Sequence, residues 1–300
     1  MTARTLPLLM LLLCGAGWGL TQPLSKIAVS TGHGEFGLVF WQTVFTASIL
    51  FGLTLARGRG LPLGWRYLWR YGLIGLVGTI LPDTILYTSA KHLPAGVLSI
   101  LISLVPMFSL PLALALGMER PSLLRAAGLL FGALAIVFLV GPKAALPDMS
   151  MSFWVVIAAL TPLCYALEGI FVGRYGRLDL DAIQLLLGAS LVGVGLSLPL
   201  ALGAGQFVDL ATEWHAAEAA LLASSVIHAF VYASYVWLIG RAGTVFASQV
   251  SYIVTGSGVL WSILLLEEAY SGYVWTALAL MMLGLFLVQP LRADPLARRG

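Results

Sequence analysis

The chain has 300 residues, of which 60% are hydrophobic and 10% charged, with a mean hydropathy of +0.97. Soluble domains carry roughly 25% charged residues, so a water-facing surface is excluded for most of this chain and lipid is its expected solvent. The net charge of +3 is small, and Arg298-Arg299 at the chain end fits membrane anchoring, not nucleic-acid binding.

Backbone groups inside lipid must be paired within the segment, and the sequence lacks the period-2 alternation of a barrel, so the spans read as helices. A helix needs about 20 apolar residues to cross. Ten such segments are expected, over 6–29, 36–56, 70–90, 94–117, 122–141, 152–173, 182–203, 217–239, 244–266 and 272–290. The first follows Arg4 and continues past Cys14 and Gly19 to Val29. Leu13 precedes Cys14 where a lipid-modified cysteine would follow a small residue, and no small-x-small site follows, so this is a span and not a signal peptide. Cys14 and Cys164 sit in apolar runs and imply neither a disulfide framework nor a metal site. Short connections carry Gly, Pro or charge, as in Arg57-Gly58-Arg59-Gly60, Lys91-His92-Leu93-Pro94, Glu119-Arg120-Pro121 and Gly141-Pro142-Lys143 through Met149.

Ten crossings put both termini on one face. Thirteen arginines fall on that face, while Lys26, Lys91 and Lys143 fall on the other. By the positive-inside rule both termini are expected in the cytoplasm of a bacterium, with the chain in its inner membrane. An added or missing span would blur this division.

The chain also resembles itself at an offset of 148 residues. Lys26 pairs with Arg174, Tyr87 with Tyr235, Ser103 with Ser251 and Glu119 with Glu267. Phe138-Leu139-Val140 with Pro142 returns as Phe286-Leu287-Val288 with Pro290. Two repeats are therefore expected, 1–145 and 146–300. Five spans per repeat is an odd number, so the second repeat crosses in the opposite sense. The expected fold is an all-α membrane protein of ten transmembrane helices in two inverted five-helix repeats. Such pairs are associated with alternating-access transporters, whose site lies near the midplane between repeats.

Ionisable groups at membrane depth are costly and suggest function. Asp83 lies toward the middle of span 3, sharing a helical face with Thr79 and Tyr87. His228, central in span 8, is followed on the same side by Tyr232 and Tyr235. Asp83 and His228 are candidates for holding or relaying a proton between the repeats; equally, Asp83 would bond a neighbouring helix and His228 a serine such as Ser224 or Ser225. Glu168, in a stripe with Thr161 and Tyr165, either lines the cavity or pairs with Arg174 or Arg241 as a gate. Lys26 either snorkels to the interface or gates the outer end of span 1. Trp18, Gln22 and Ser25 form a stripe on span 1, Ser99 and Ser103 lie on span 4, and span 9 carries Ser248, Gln249, Ser251, Tyr252 and Thr255. The cavity set expected is Trp18, Gln22, Thr79, Asp83, Tyr87, Ser103, Tyr165, His228, Tyr232, Tyr235, Gln249 and Tyr252. Aromatic walls with a few polar points suit a small organic solute. Trp41, Trp65, Trp69, Trp154, Trp214 and Trp275 lie near span ends and fit interfacial belts.

Trp18-Gly19 with Lys26, Tyr87-Thr88-Ser89-Ala90 leading to Leu93-Pro94-Ala95-Gly96, Gly117-Met118-Glu119-Arg120-Pro121-Ser122 before Gly128-x-x-x-Gly132, and Leu266-Glu267-Glu268 resemble the EamA-type branch of the drug/metabolite transporter superfamily. The resemblance implies a cavity lined by spans 1, 3, 4, 6, 8 and 9, with spans 5 and 10 at the far edge. It implies transport of amino acids, other metabolites or drugs, in either direction.

No Walker A pattern, His-Glu-x-x-His or Gly-x-Ser-x-Gly element occurs, so no cofactor, metal or catalytic set is expected. The first expectation is a monomeric secondary transporter exporting amino acids or similar metabolites, driven by protons or by the solute gradient. The rivals are a membrane enzyme using Asp83, Glu168 and His228, and a passive channel.

Overall fold

The computed structural model describes residues 5–141, 146, 148, 150–175, 178–211, 213–242 and 244–288. Arg4, Pro142, Lys143, Met149, Arg177, Pro290, Arg292, Arg298 and Arg299 lie outside the described residues. Among the described residues every regular element is a helix. Nine are long and apolar enough to cross a bilayer: α1 (Thr5–Ala28), α2 (Glu35–Ala56), α3 (Trp65–Ala90), α4 (Ala95–Ala115), α5 (Leu123–Val140), α6 (Met151–Tyr175), α7 (Ala182–Gly203), α8 (Ala216–Ala242) and α9 (Phe246–Leu266). A tenth apolar helix, α10, follows over Gly272–Val288.

Helix α3 begins five residues before the expected 70, because Arg66 and Arg70 interrupt the apolar run without breaking the helix. Tyr67 and Tyr71 bury themselves toward α7 while Arg70 lies over the Trp69 ring, 4.4 Å from its centroid. At the entry to α7, Asp181 caps the helix in a capping box with Gln184, as an acid in a turn before a helix should.

Prolines set the irregularities. A proline lacks an N–H and crowds the carbonyl four residues back. Pro106 is four residues past Ile102, where the first piece of α4 ends. Pro162 is four past Ala158, where the first piece of α6 ends. Pro82 is four past Gly78, the centre of a π-helical turn over Leu76–Ile80 in α3. Helix α9 also breaks, at Gln249, with no proline behind it.

The helix neighbours reveal the symmetry. Exchanging α1 with α6, α2 with α7, α3 with α8, α4 with α9 and α5 with α10 turns the main pairs between the halves into one another or onto themselves. The α1–α8 and α1–α9 contacts become α3–α6 and α4–α6, and α2–α8 becomes α3–α7. The α2–α7, α4–α9 and α5–α10 pairs map onto themselves. Two five-helix halves thus pack face to face, and their odd span count makes them inverted.

Helices in lipid associate by close packing and not by the hydrophobic effect. The α5–α10 seam shows how. A β-carbon at Gly284 would lie 2.9 Å from the Gly128 carbonyl oxygen and 3.1 Å from the Gly132 nitrogen, so only glycine admits this backbone approach. The main core lies beside the seam, with Leu98, Leu101, Leu139, Met281 and Leu285 all at most 2% exposed.

Candidate central cavity

A cavity of about 410 Å³ lies between the halves, within the roughly 300–1,000 Å³ of small-molecule sites. Eight of the expected residues line it: Trp18, Gln22, Asp83, Ser103, Tyr165, His228, Tyr232 and Tyr235. They come from α1, α3, α4, α6 and α8, and α9 adds Val250, Ser251 and Val254. Two further helices reach in, α2 with Gln42 and α7 with Leu186. The proline-linked irregularities open onto this space, through Gly78 in α3 and Ile102, Ser103 and Pro106 in α4.

Asp83 is 5% exposed. Gln42 donates its side-chain N–H to Asp83 Oδ2 at 2.7 Å, and the Tyr165 hydroxyl donates to Oδ1 at 3.2 Å. The Tyr87 hydroxyl donates in turn to Gln42 Oε1. The carboxylate is therefore held by neutral donors from α2 and α6, and among the described residues no cation pairs with it.

Glu168 does not pair with Arg174 or Arg241. Its carboxylate lies in the cavity wall over Gly78, so close that a β-carbon there would sit 2.6 and 2.8 Å from its oxygens. The expected pairing of Glu168 with Arg174 or Arg241 is thus corrected: the π-turn of α3 places a glycine opposite, and the acid fills that space. Lys26 does not snorkel. Its Nζ donates to the Ala90 and Leu93 carbonyl oxygens at 2.6 and 2.9 Å, tying α1 to the chain between α3 and α4.

Across the cavity the Trp18 ring meets Tyr235 edge-on with centroids 5.2 Å apart. His228 stands 6.3 Å from Trp18 and 6.4 Å from Tyr232. Asp83 and His228 share the cavity, but no hydrogen bond joins them among the described residues, and neither Ser224 nor Ser225 bonds the imidazole.

Four expected residues are not in the lining. Thr79 sits in the π-turn, which adds a residue and rotates Gly78 to the cavity in its place. Tyr87 keeps the face of Asp83 but lies one turn beyond the cavity, fully buried on Gln42. Gln249 falls at the α9 break, where the helical phase resets. Tyr252 packs against the main core. Among the described residues no cluster of three His, Cys, Asp or Glu is placed to hold a metal.

The two faces differ. On the face away from the termini, Glu268 accepts from the Ala95 and Gly96 N–H groups at 2.8 and 3.2 Å. It thereby caps the start of α4 with a charge of the sign that a helix N-terminus favours. Glu267 adopts a left-handed conformation (φ 54°) that ends α9 just before this contact. His33 also pairs with Glu218 there, at 2.5 Å. Toward the face bearing the termini, a second void of about 380 Å³ adjoins the cavity and shares Pro106 and Ser251 with it. Glu119 and Arg125 border this void and pair with one another at 2.9 Å.

A multi-pass helical bundle with a solute-sized chamber between two inverted halves is a transporter architecture. The EamA-like transporter family matches the chain twice, over residues 5–141 and 152–289, and the chain belongs to that family. The two matches start 147 residues apart (5 and 152) and end 148 apart (141 and 289). Twenty-one chains of solved structures match; one crystal structure, 21% identical, superposes with a TM-score of 0.63 over 99% of both chains. That likeness concerns the fold alone. No curated protein matches the chain.

Proposed function

We propose that this protein is a secondary carrier that exports small organic metabolites, amino acids or related compounds, by alternating access. It sits in a bacterial inner membrane with both termini in the cytoplasm and works as a monomer. One observation carries the reading: a solute-sized cavity whose walls come from both halves, next to a void toward one face and beneath a cross-half tie on the other. Proton drive is the coupling we infer, through Asp83 with His228 as a second titratable group. Glu168, Tyr165, Tyr232 and Tyr235 are the other ionisable side chains facing that space.

Purified protein in proteoliposomes is the test. Saturable counterflow supports a carrier, non-saturating flux a channel. Asp83, Glu168 and His228 do share one cavity, so formation of a new product in the same assay would favour the enzyme reading. For the coupling, Asp83→Asn and His228→Gln should each flatten the pH dependence of counterflow; an unchanged profile in both ends the proton assignment.

A further inference from the structure

The charge inventory of the cavity is one-sided. Among the described residues its ionisable lining groups are the carboxylates of Asp83 and Glu168, the His228 imidazole and three tyrosines, and neither a lysine nor an arginine lines it. Glu168 has no hydrogen bond or ion pair among the described residues. Gln22, only 5% exposed, carries a buried side-chain oxygen without a hydrogen-bond partner. A buried acceptor left unpaired is costly, and a wall of acceptors calls for a donor. In the same lining Trp18 and Tyr235 present aromatic surface, which attracts a cation as well as apolar groups.

We propose that the cavity selects solutes bearing a protonated amine on an aromatic or apolar body, with Glu168, Asp83 and the Gln22 oxygen receiving the ammonium. The inference rests on the carrier reading and names the class of cargo. An ammonium supplies three donors, which matches these acceptors. Asp83 already accepts one bond at each oxygen, from Gln42 and Tyr165, so it orients the site and Glu168 has the greater free capacity. A free carboxylate on the solute meets no cationic side chain among the described lining residues and faces two acids. Within an amino-acid skeleton the amine is thus the recognised group and the acid a burden.

Three probes of one shape isolate this: phenethylamine, phenylalanine and 3-phenylpropionate, titrated calorimetrically against the full-length protein in detergent at fixed pH. Phenethylamine is expected to bind about tenfold or more tighter than phenylalanine, with 3-phenylpropionate weakest. Glu168→Gln should weaken the amine by about tenfold while leaving the thermal midpoint near that of the parent. Equal binding of all three probes, tighter binding of the acid, or no binding of the amine overturns the proposal. So does an unchanged amine affinity in both Glu168→Gln and Asp83→Asn. Saturable counterflow of some other solute, with no amine preference, removes the cargo assignment and leaves the carrier standing. Selective amine binding without counterflow supports the site and removes the carrier.

Discussion

The Tyr165 hydroxyl of one half donates to the Asp83 carboxylate of the other at 3.2 Å. This bond crosses the interface that alternating access would have to rearrange. Replacing Tyr165 with Phe removes the donor and leaves the ring. A bond to a charged group is worth about 1.5–3 kcal/mol, less for one this long. We expect a several-fold change in half-saturation for counterflow, with an unaltered melting curve. An unaltered half-saturation would mean the bond plays no part in the cycle.

Gly78 and Glu168 form a tighter pair. Gly78→Ala would bring a β-carbon within 2.6–2.8 Å of the acid's oxygens, so the carboxylate must move. Amine binding should fall by about tenfold, the effect of losing a bond to a charged group. Shortening the acid in Gly78→Ala with Glu168→Asp should recover part of it. Failure of the second change to help would show that the damage lies in the π-turn and not in the carboxylate.

Much of this was legible in the linear chain because lipid imposes strict rules. Span positions, the 148-residue repeat and the stripe Trp18, Gln22, Ser25 follow from composition and helical period. Local departures from that period were harder to read. Thr79 is expected in the cavity from its spacing to Asp83 and Gln249 from the polar run on span 9, and both sit where the helix changes pitch or breaks. Gln42 is the one amide on a span whose other polar side chains within the membrane are hydroxyls, and that amide is the available signal. That Glu168 answers a glycine and not an arginine depends on how α3 packs on α6, which no local pattern encodes.

Glu268 ties the start of α4 to the turn after α9. Glu268→Ala leaves the Ala95 N–H without its acceptor, at roughly 1–3 kcal/mol if it stays buried, while the Gly96 N–H keeps the Tyr270 hydroxyl at 3.0 Å. This face should open more often. In a background lacking Cys14 and Cys164, a cysteine at Ser25 should react faster with an impermeant thiol reagent added from that side. Equal labelling rates with and without Glu268 would remove it from any gate.

The α5–α10 seam offers a test of stability apart from transport. Gly284→Leu forces a side chain into a space bounded by the Gly128 and Gly132 backbone. Overpacking of this kind costs about 1–3 kcal/mol. A clear fall in the detergent melting temperature is expected, and none would mean the helices part there at little cost.

Asp181, at the entry to α7, links both halves near the termini. Burial pushes its carboxyl up, but the Gln184 N–H, the Arg57 hydrogen bond and the charges of Arg57 and Arg59 outweigh it and hold it below the ordinary aspartate range. A lowered folded pKa means the stabilisation is complete above the unfolded value of about 3.9 and is lost as pH falls through the folded one. Proteolysis of the loop at 57–64 should therefore accelerate only in that acid window, and Asp181→Asn should lose this pH step.

Every self-paired contact in the bundle joins a helix to one made about 150 residues later. During synthesis the first five spans leave the ribosome with the Gly128 and Gly132 face still lacking its partner. That face must be sheltered by lipid or by the insertion machinery until Gly284 arrives. Folding is then a closing event that waits for nearly the whole polypeptide, and neither half is a finished object alone.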